Sequence, residues 1–184
     1  TKLKTKPFNK YARTMAYFRV GNMDKAIELL GQLTEEYPSN PFYEELNGQI
    51  FLELGQTQKA LNSLKKSVKL MPDSPLLRSA LADIQIQINK PEYLKEAIIH
   101  LEYSLLAERN NPRMWRQLGI AYGRLGDLGK SWQALSEESF IRGQYQDALR
   151  HAKRAQRKLK AGSSSWLRAE DISLASQRHL EIDK

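Results

Sequence analysis

The side chains of this 184-residue chain that could do chemistry are three histidines, His100, His151 and His179, and several adjacent carboxylate pairs. The pairs are Glu35 with Glu36, Glu44 with Glu45, and Glu137 with Glu138. Histidines and carboxylates together could hold a metal ion, but no histidine here has a second histidine or a cysteine at ligand spacing. There is no His-Glu-x-x-His helix, no nucleophile elbow and no glycine-rich phosphate cradle. Neighbouring carboxylates on a helix diverge by about 100° instead of converging on a substrate, so each pair reads as a solvated helix face. His151, inside the run RHAKRAQRKLK, reads as part of an exposed basic face. The expectation is a chain without catalytic residues and with no metal or cofactor of its own. With no cysteine it has no disulfide and no thiolate metal site, which leaves the redox compartment open.

Charge is the second kind of chemistry on offer. Between Arg142 and Lys160 seven basic side chains stand against Asp147 alone, so most of the net charge of +8 sits in one segment. A basic patch of Arg150, Lys153, Arg154, Arg157 and Lys158 could meet an acidic protein surface, anionic lipid or nucleic acid, with binding that weakens as salt rises. Only Tyr145 is available there to stack on bases, and no RNA-binding signature is present, which argues against nucleic acid. The competing reading is a solvated helix face.

The elements that position these residues follow from a period. Prolines at 7, 41 and 75 are 34 residues apart, and each opens a similar pattern. Gly21 and Gly55 fall at position 15 of their units, Ala26 and Ala60 at position 20, Leu30 and Leu64 at position 24, and Pro38 and Pro72 at position 32. A breaker halfway and another at the end mean two short helices per unit with the glycine in the turn. This pattern resembles the tetratricopeptide repeat. The third unit keeps Ala82 at position 8, but its loop around Asn89 to Pro91 carries three extra residues. In the fourth, Trp115, Leu118, Gly119 and Tyr122 fall at positions 4, 7, 8 and 11, which places Trp115 in the core. Trp132, Leu135, Ser136, Gly143 and Ala148 then start another frame inside the second helix of unit four. Units four and five are therefore expected to share one helix, a half-repeat step.

The resulting expectation is an all-α tetratricopeptide-repeat solenoid of antiparallel helix pairs, a single domain over residues 1–184. Its units are about 7–40, 41–74, 75–111 and 112–128, with a shared helix at 128–141 and a last unit at 142–161. A capping helix at 163–181 closes the array, with serine as N-cap and Trp166, Leu167, Ile172 and Ala175 on its apolar side. No apolar run approaches the roughly 18 residues that cross a bilayer.

A helical-repeat solenoid lines its concave side with the first helix of each unit. Helical geometry puts Phe8, Tyr11, Met15 and Phe18 there in unit one, and Phe42, Leu46 and Gln49 in unit two. Unit four contributes Arg113, Arg116 and Arg124, so the groove runs from aromatic to basic. These aromatics read equally as a ligand groove or as a contact with another domain. The positions that clamp acidic chaperone tails in other repeats are occupied here by Tyr11, Met15, Leu46, Leu76 and Ala80, which cannot donate those hydrogen bonds.

From Asn111 to Ile172, the half-repeat step, the turn at Phe140 to Gly143 and the closing helix resemble the repeat domain that follows the catalytic domain in bacterial M48-family zinc metallopeptidases. The resemblance implies a zinc-bearing catalytic domain upstream of Thr1, since the chain does not start with Met. No catalytic or zinc-binding residue of the family maps onto these positions. It further implies a non-catalytic role, binding substrate, its own catalytic domain or the outer-membrane assembly machinery in the periplasm. The alternative is a free-standing adaptor with no enzyme attached, which could equally work in the cytoplasm. A third reading uses the basic helix to bind RNA or lipid.

Overall fold

A computed structural model describes residues 7–182, and all regular structure among them is helical. In chain order the helices are α1 (Pro7–Arg19), α2 (Met23–Glu36), α3 (Pro41–Glu53), α4 (Thr57–Leu70), α5 (Pro75–Ile88), α6 (Pro91–Ala107), α7 (Pro112–Arg124), α8 (Leu128–Ile141), α9 (Tyr145–Lys158) and α10 (Ser164–Ile182). They pack as consecutive antiparallel pairs, the expected all-α repeat architecture. The described residues form two compact units, one ending at Ile84 within α5 and one beginning at Gln85.

Local chemistry explains the boundaries. The repeating prolines open α3 and α7 just inside the first turn, where a missing N–H costs no helical bond. Asn40 and Asn111 precede them, each accepting from backbone amides of the first turn through its side-chain oxygen. The turn glycines close the first helices. Gly55 adopts φ +70°, its N–H reaches Leu52 O at 2.9 Å, and Gln56 N–H reaches Phe51 O at 2.8 Å. These two bonds satisfy carbonyls that the helix end would leave open, in a conformation that a Cβ resists. The same pair of bonds recurs after α1, α7 and α8. At the third turn Asn89 takes the left-handed role at φ +57°, and that turn is only Asn89 and Lys90. The three extra residues expected in this loop lie instead in α6, which has 17 residues where α2 and α4 have 14.

In the first unit one core cluster is Ala26, Leu30, Leu33, Tyr43, Leu46 and Ile50, with Tyr11, Met15, Tyr17 and Phe18 packed against it. Polar side chains also tie the helices: Lys10 pairs with Glu36 at 2.6 Å, Lys66 pairs with Glu44 at 2.6 Å, and Ser67 Oγ donates to Pro41 O at 2.8 Å. Small residues set the approach of the helices within a pair. A Cβ on Gly48 would lie 2.6 Å from Leu64 Cγ, and one on Gly119 would lie 2.9 Å from Leu135 Cγ. Both contacts join position 8 of one helix to position 24 of the next, so the repeat period is written directly into the packing.

In the second unit α8 packs against α7, α9 and α10. Its buried residues therefore run all round it, including Ser131, Ser136, Glu137, Glu138 and Ser139. Ala148, Ala152 and Ala155 of α9 meet Ala169 and Ile172 of α10 in one cluster, with Trp132, Phe140 and Leu159 on its margin. Ser163 Oγ accepts from Trp166 N–H at 3.3 Å and starts the last helix.

Four sequence expectations need correction. Two of the carboxylate pairs are not solvated: Glu44, Glu45, Glu137 and Glu138 are all buried under neighbouring helices, with Lys66, Arg168 and Arg116 of other helices facing Glu44, Glu137 and Glu138, while Glu45 accepts from Gln49 of its own helix. Trp115 is only half-buried, its indole N–H donating to Arg109 O at 2.7 Å, and Met114 occupies the core beside it. Leu167 is exposed, and α10 buries Ala169, Ile172, Ser173 and Ser176 instead. His151 is not on the exposed basic face of α9 but turns toward α8.

Candidate functional site

Two surfaces emerge, one in each unit. In the first unit, α1 and α3 carry the aromatic set, and the structure divides it. Leu46 is fully buried in the core, so its expected place in a groove is wrong: its side chain faces the packed side of α3. Tyr11, Met15 and Phe18 are half-buried against that core. Phe8 and Phe42 remain exposed, Phe8 at 67%. Tyr11 lies 5.5 Å from Tyr43 between ring centroids, which fixes its ring. Gln49 is half-buried and donates to Glu45 one helical turn away. Burial raises the Glu45 carboxyl above the usual range, against the opposing effect of the Gln49 bond, and burial together with Glu45 raises the Tyr11 hydroxyl. The repeat register also puts Glu45 on the groove side of α3, but the carboxylate is buried, and its spacing of four from Gln49 is the sequence signal for their contact.

In the second unit the three arginines of α7 do not form one free row. Arg124 donates to Ile86 O, one of the last carbonyls of α5. Arg116 lies 3.7 Å from the buried Glu138 carboxylate, which also accepts from Arg142 at 2.5 Å. Arg113 is exposed at the start of α7. On the other side of α8, Arg168 of α10 grips Glu137 through Nε at 2.5 Å and Nη2 at 2.8 Å. The adjacent Glu137 and Glu138 thus diverge, as helical geometry demands, and each finds its own cation. The Glu137 bond, first among the causes, raises the proton affinity of Arg168 further.

The basic patch on α9 is exposed at all five expected positions, Arg150, Lys153, Arg154, Arg157 and Lys158. Arg150 pairs with Asp147 at 2.6 Å, and the Arg154 guanidinium lies 4.8 Å from the Trp132 ring. His151 faces inward, its ring 5.3 Å from Trp132 and its Nδ1 3.3 Å from Ser139 Oγ and 3.4 Å from Leu135 O. Desolvation, the main cause, lowers its affinity for a proton below the ordinary value of 6.5. A histidine depressed in the folded state contributes stability above its unfolded pKa and loses it as pH falls through the folded one. The second unit should therefore lose stability in acid below about pH 6.5. His151→Gln should flatten that part of the profile in thermal unfolding followed from pH 7.5 to 5.

A cleft of about 610 Å³ also opens in the second unit, lined by residues of α6, α7 and α8, by Arg109 of the α6–α7 connection and by the first turn of α10. No single stretch of sequence marks it. Among the described residues no group of three or more metal-ligating side chains occurs, so they offer no ligand set for zinc. No helix among them is long and apolar enough to cross a membrane.

Comparison with known proteins gives a consistent picture. Tetratricopeptide-repeat models match residues 10–40 and 48–74. The chain is 25% identical over 154 residues to the β-barrel assembly-enhancing protease of Yersinia pestis, covering 84% of this chain and 31% of that protein. It is 26% identical over 137 residues to a tetratricopeptide-repeat-containing protein of Methanocaldococcus jannaschii, covering 74% of this chain and 24% of that one. The chain thus spans less than a third of the length of these relatives. Among solved structures, MamA from Desulfovibrio magneticus aligns with a TM-score of 0.70 at 18% identity, over 99% of this chain and 98% of the other. The tetratricopeptide-repeat models thus match two stretches of the first unit, and the paired helices with their repeating turn bonds give the described residues a tetratricopeptide-like, all-α fold.

Proposed function

We propose that this domain is the non-catalytic, partner-binding part of a periplasmic M48-type zinc metalloprotease that serves outer-membrane protein assembly or quality control. The observation that carries the reading is the aromatic surface of the first unit. Phe8 and Phe42 stand exposed beside the half-buried rings of Tyr11 and Phe18, apolar surface that a partner or a neighbouring domain would remove from water. The distant similarity to the assembly-enhancing protease supports the choice of enzyme, zinc being held outside the residues described here. An adaptor with no enzyme attached is the second reading, favoured by the archaeal relative, which matches about as well.

Photo-crosslinking in the full-length protein distinguishes them. With benzoylphenylalanine in place of Phe42, the protease reading expects products joined to a metallopeptidase domain of the same chain or to an outer-membrane assembly protein. A control probe at Lys153 should give neither. A source gene with no His-Glu-x-x-His helix upstream of Thr1 would leave only the adaptor.

A further inference from the structure

We infer that the cleft of the second unit binds a short acidic peptide segment, seating one large apolar side chain on Trp115 and Leu106 with flanking carboxylates against Arg109 and Lys130. This inference does not depend on the reading of the aromatic surface of the first unit.

The cleft holds about 610 Å³, inside the range of roughly 300 to 1,000 Å³ that ligand sites occupy. Its apolar lining is Leu105, Leu106, Trp115 and Leu118. Leu105 and Leu118 are buried parts of the core, whereas Leu106 is 84% exposed, so the cleft offers apolar surface that folding has left in water. The Trp115 ring is held in place by its indole N–H bond to Arg109 O at 2.7 Å. That bond also satisfies its polar atom, so a ligand laid on the ring leaves no donor unpaired and immobilises nothing new.

Charge selects the ligand. Glu102 is the one acid lining the cleft, and it already accepts a hydrogen bond from the Tyr122 hydroxyl. Lys130 Nζ lies 5.0 Å from the centroid of the Tyr122 ring, and among the described residues neither Lys130 nor Arg109 has an ion-pair partner. Two cations at an apolar cleft attract a carboxylate next to a large apolar side chain and repel a basic segment. A lipid bilayer is flat and cannot enter a concave site, and a bare phosphate backbone held by the two cations would leave the apolar lining in water. Gln133, Ser164 and Ser165 complete the lining and can hydrogen-bond a peptide backbone.

The test is fluorescence anisotropy on the full chain with four dye-labelled probes. Three are end-blocked octapeptides with the central residues Asp-Leu-Glu, Asn-Leu-Gln or Asp-Ser-Glu, and the fourth is a twelve-nucleotide oligothymidylate. The Asp-Leu-Glu peptide should bind at least tenfold more tightly than the other three. The pair Arg109→Gln with Lys130→Gln should cost it at least tenfold, as should Leu106→Asn, an exposed change that circular dichroism should show to leave the fold intact. The pair Lys153→Gln with Arg157→Gln on α9 should leave its binding unchanged. Equal affinity for Asp-Leu-Glu and Asn-Leu-Gln, preference for the oligonucleotide, or no saturable peptide binding would each overturn the assignment. So would equal loss from the α9 pair, which would mean attraction by the general basic field alone.

Discussion

Arg168→Met should be among the most damaging single changes in the second unit, destabilising it by about 3 kcal/mol. The Glu137 side chain is 3% exposed, and its two oxygens accept the fork of the Arg168 guanidinium. Removing the cation leaves a carboxylate where water cannot reach it, and the remaining contact from Gln133 Nε2 at 3.4 Å is too long to compensate. Breaking such a pair is expensive even though forming it gains little over apolar packing. The double change Glu137→Leu with Arg168→Met should therefore recover most of the loss. Urea unfolding followed by circular dichroism measures both. If the single variant unfolds at the same midpoint as the parent, the bidentate pair is not a stabilising contact. Hydrogen exchange should show where the loss falls, because this pair fastens α10 to α8.

Leu46→Ala should cost about 3 kcal/mol in the first unit with no ligand present. Leu46 is fully buried among Ala26, Leu30, Tyr43 and Ile50, and truncating it leaves a cavity that rigid helix pairs fill poorly. The two readings of this residue make opposite forecasts. A groove-lining leucine could be truncated with little effect on unfolding and would be missed only by the partner, whereas a core leucine is missed by the fold itself. Thermal unfolding of the unliganded variant decides, and an unchanged midpoint would return Leu46 to the binding surface.

These cases show how much of the functional surface the repeat register could reveal. The register correctly identified the turn glycines, the buried alanines at position 20 and the leucines at position 24, because those positions lie inside a helix pair and every pair packs alike. It assigned Phe8 and Phe42 to the groove face, and both side chains are exposed. It failed for Leu46, which looks like its groove neighbours in sequence but lies on the side of α3 that the core covers. It failed again at Trp115, where Met114 fills the core position and the larger ring lies at a cleft. His151 sits among arginines and lysines along the chain, yet its own side chain points at Trp132 of α8.

The sequence by itself determined the all-α class, the helix boundaries to within a few residues, the position of each tight turn and the absence of a ready catalytic motif. Those features arise from local physics: proline at a helix start, asparagine as cap, glycine in a left-handed turn, and small residues at a fixed spacing. Only the tertiary structure decided which charges are buried and which residues meet across helices. Glu137 and Arg168 are 31 positions apart, and the cleft draws on four helices. No periodic pattern records such meetings, because a carboxylate is solvated or buried according to whether another helix lies over it. In α8, packed against three helices, that cover turned an ordinary polar sequence into a buried network of ion pairs and hydrogen bonds.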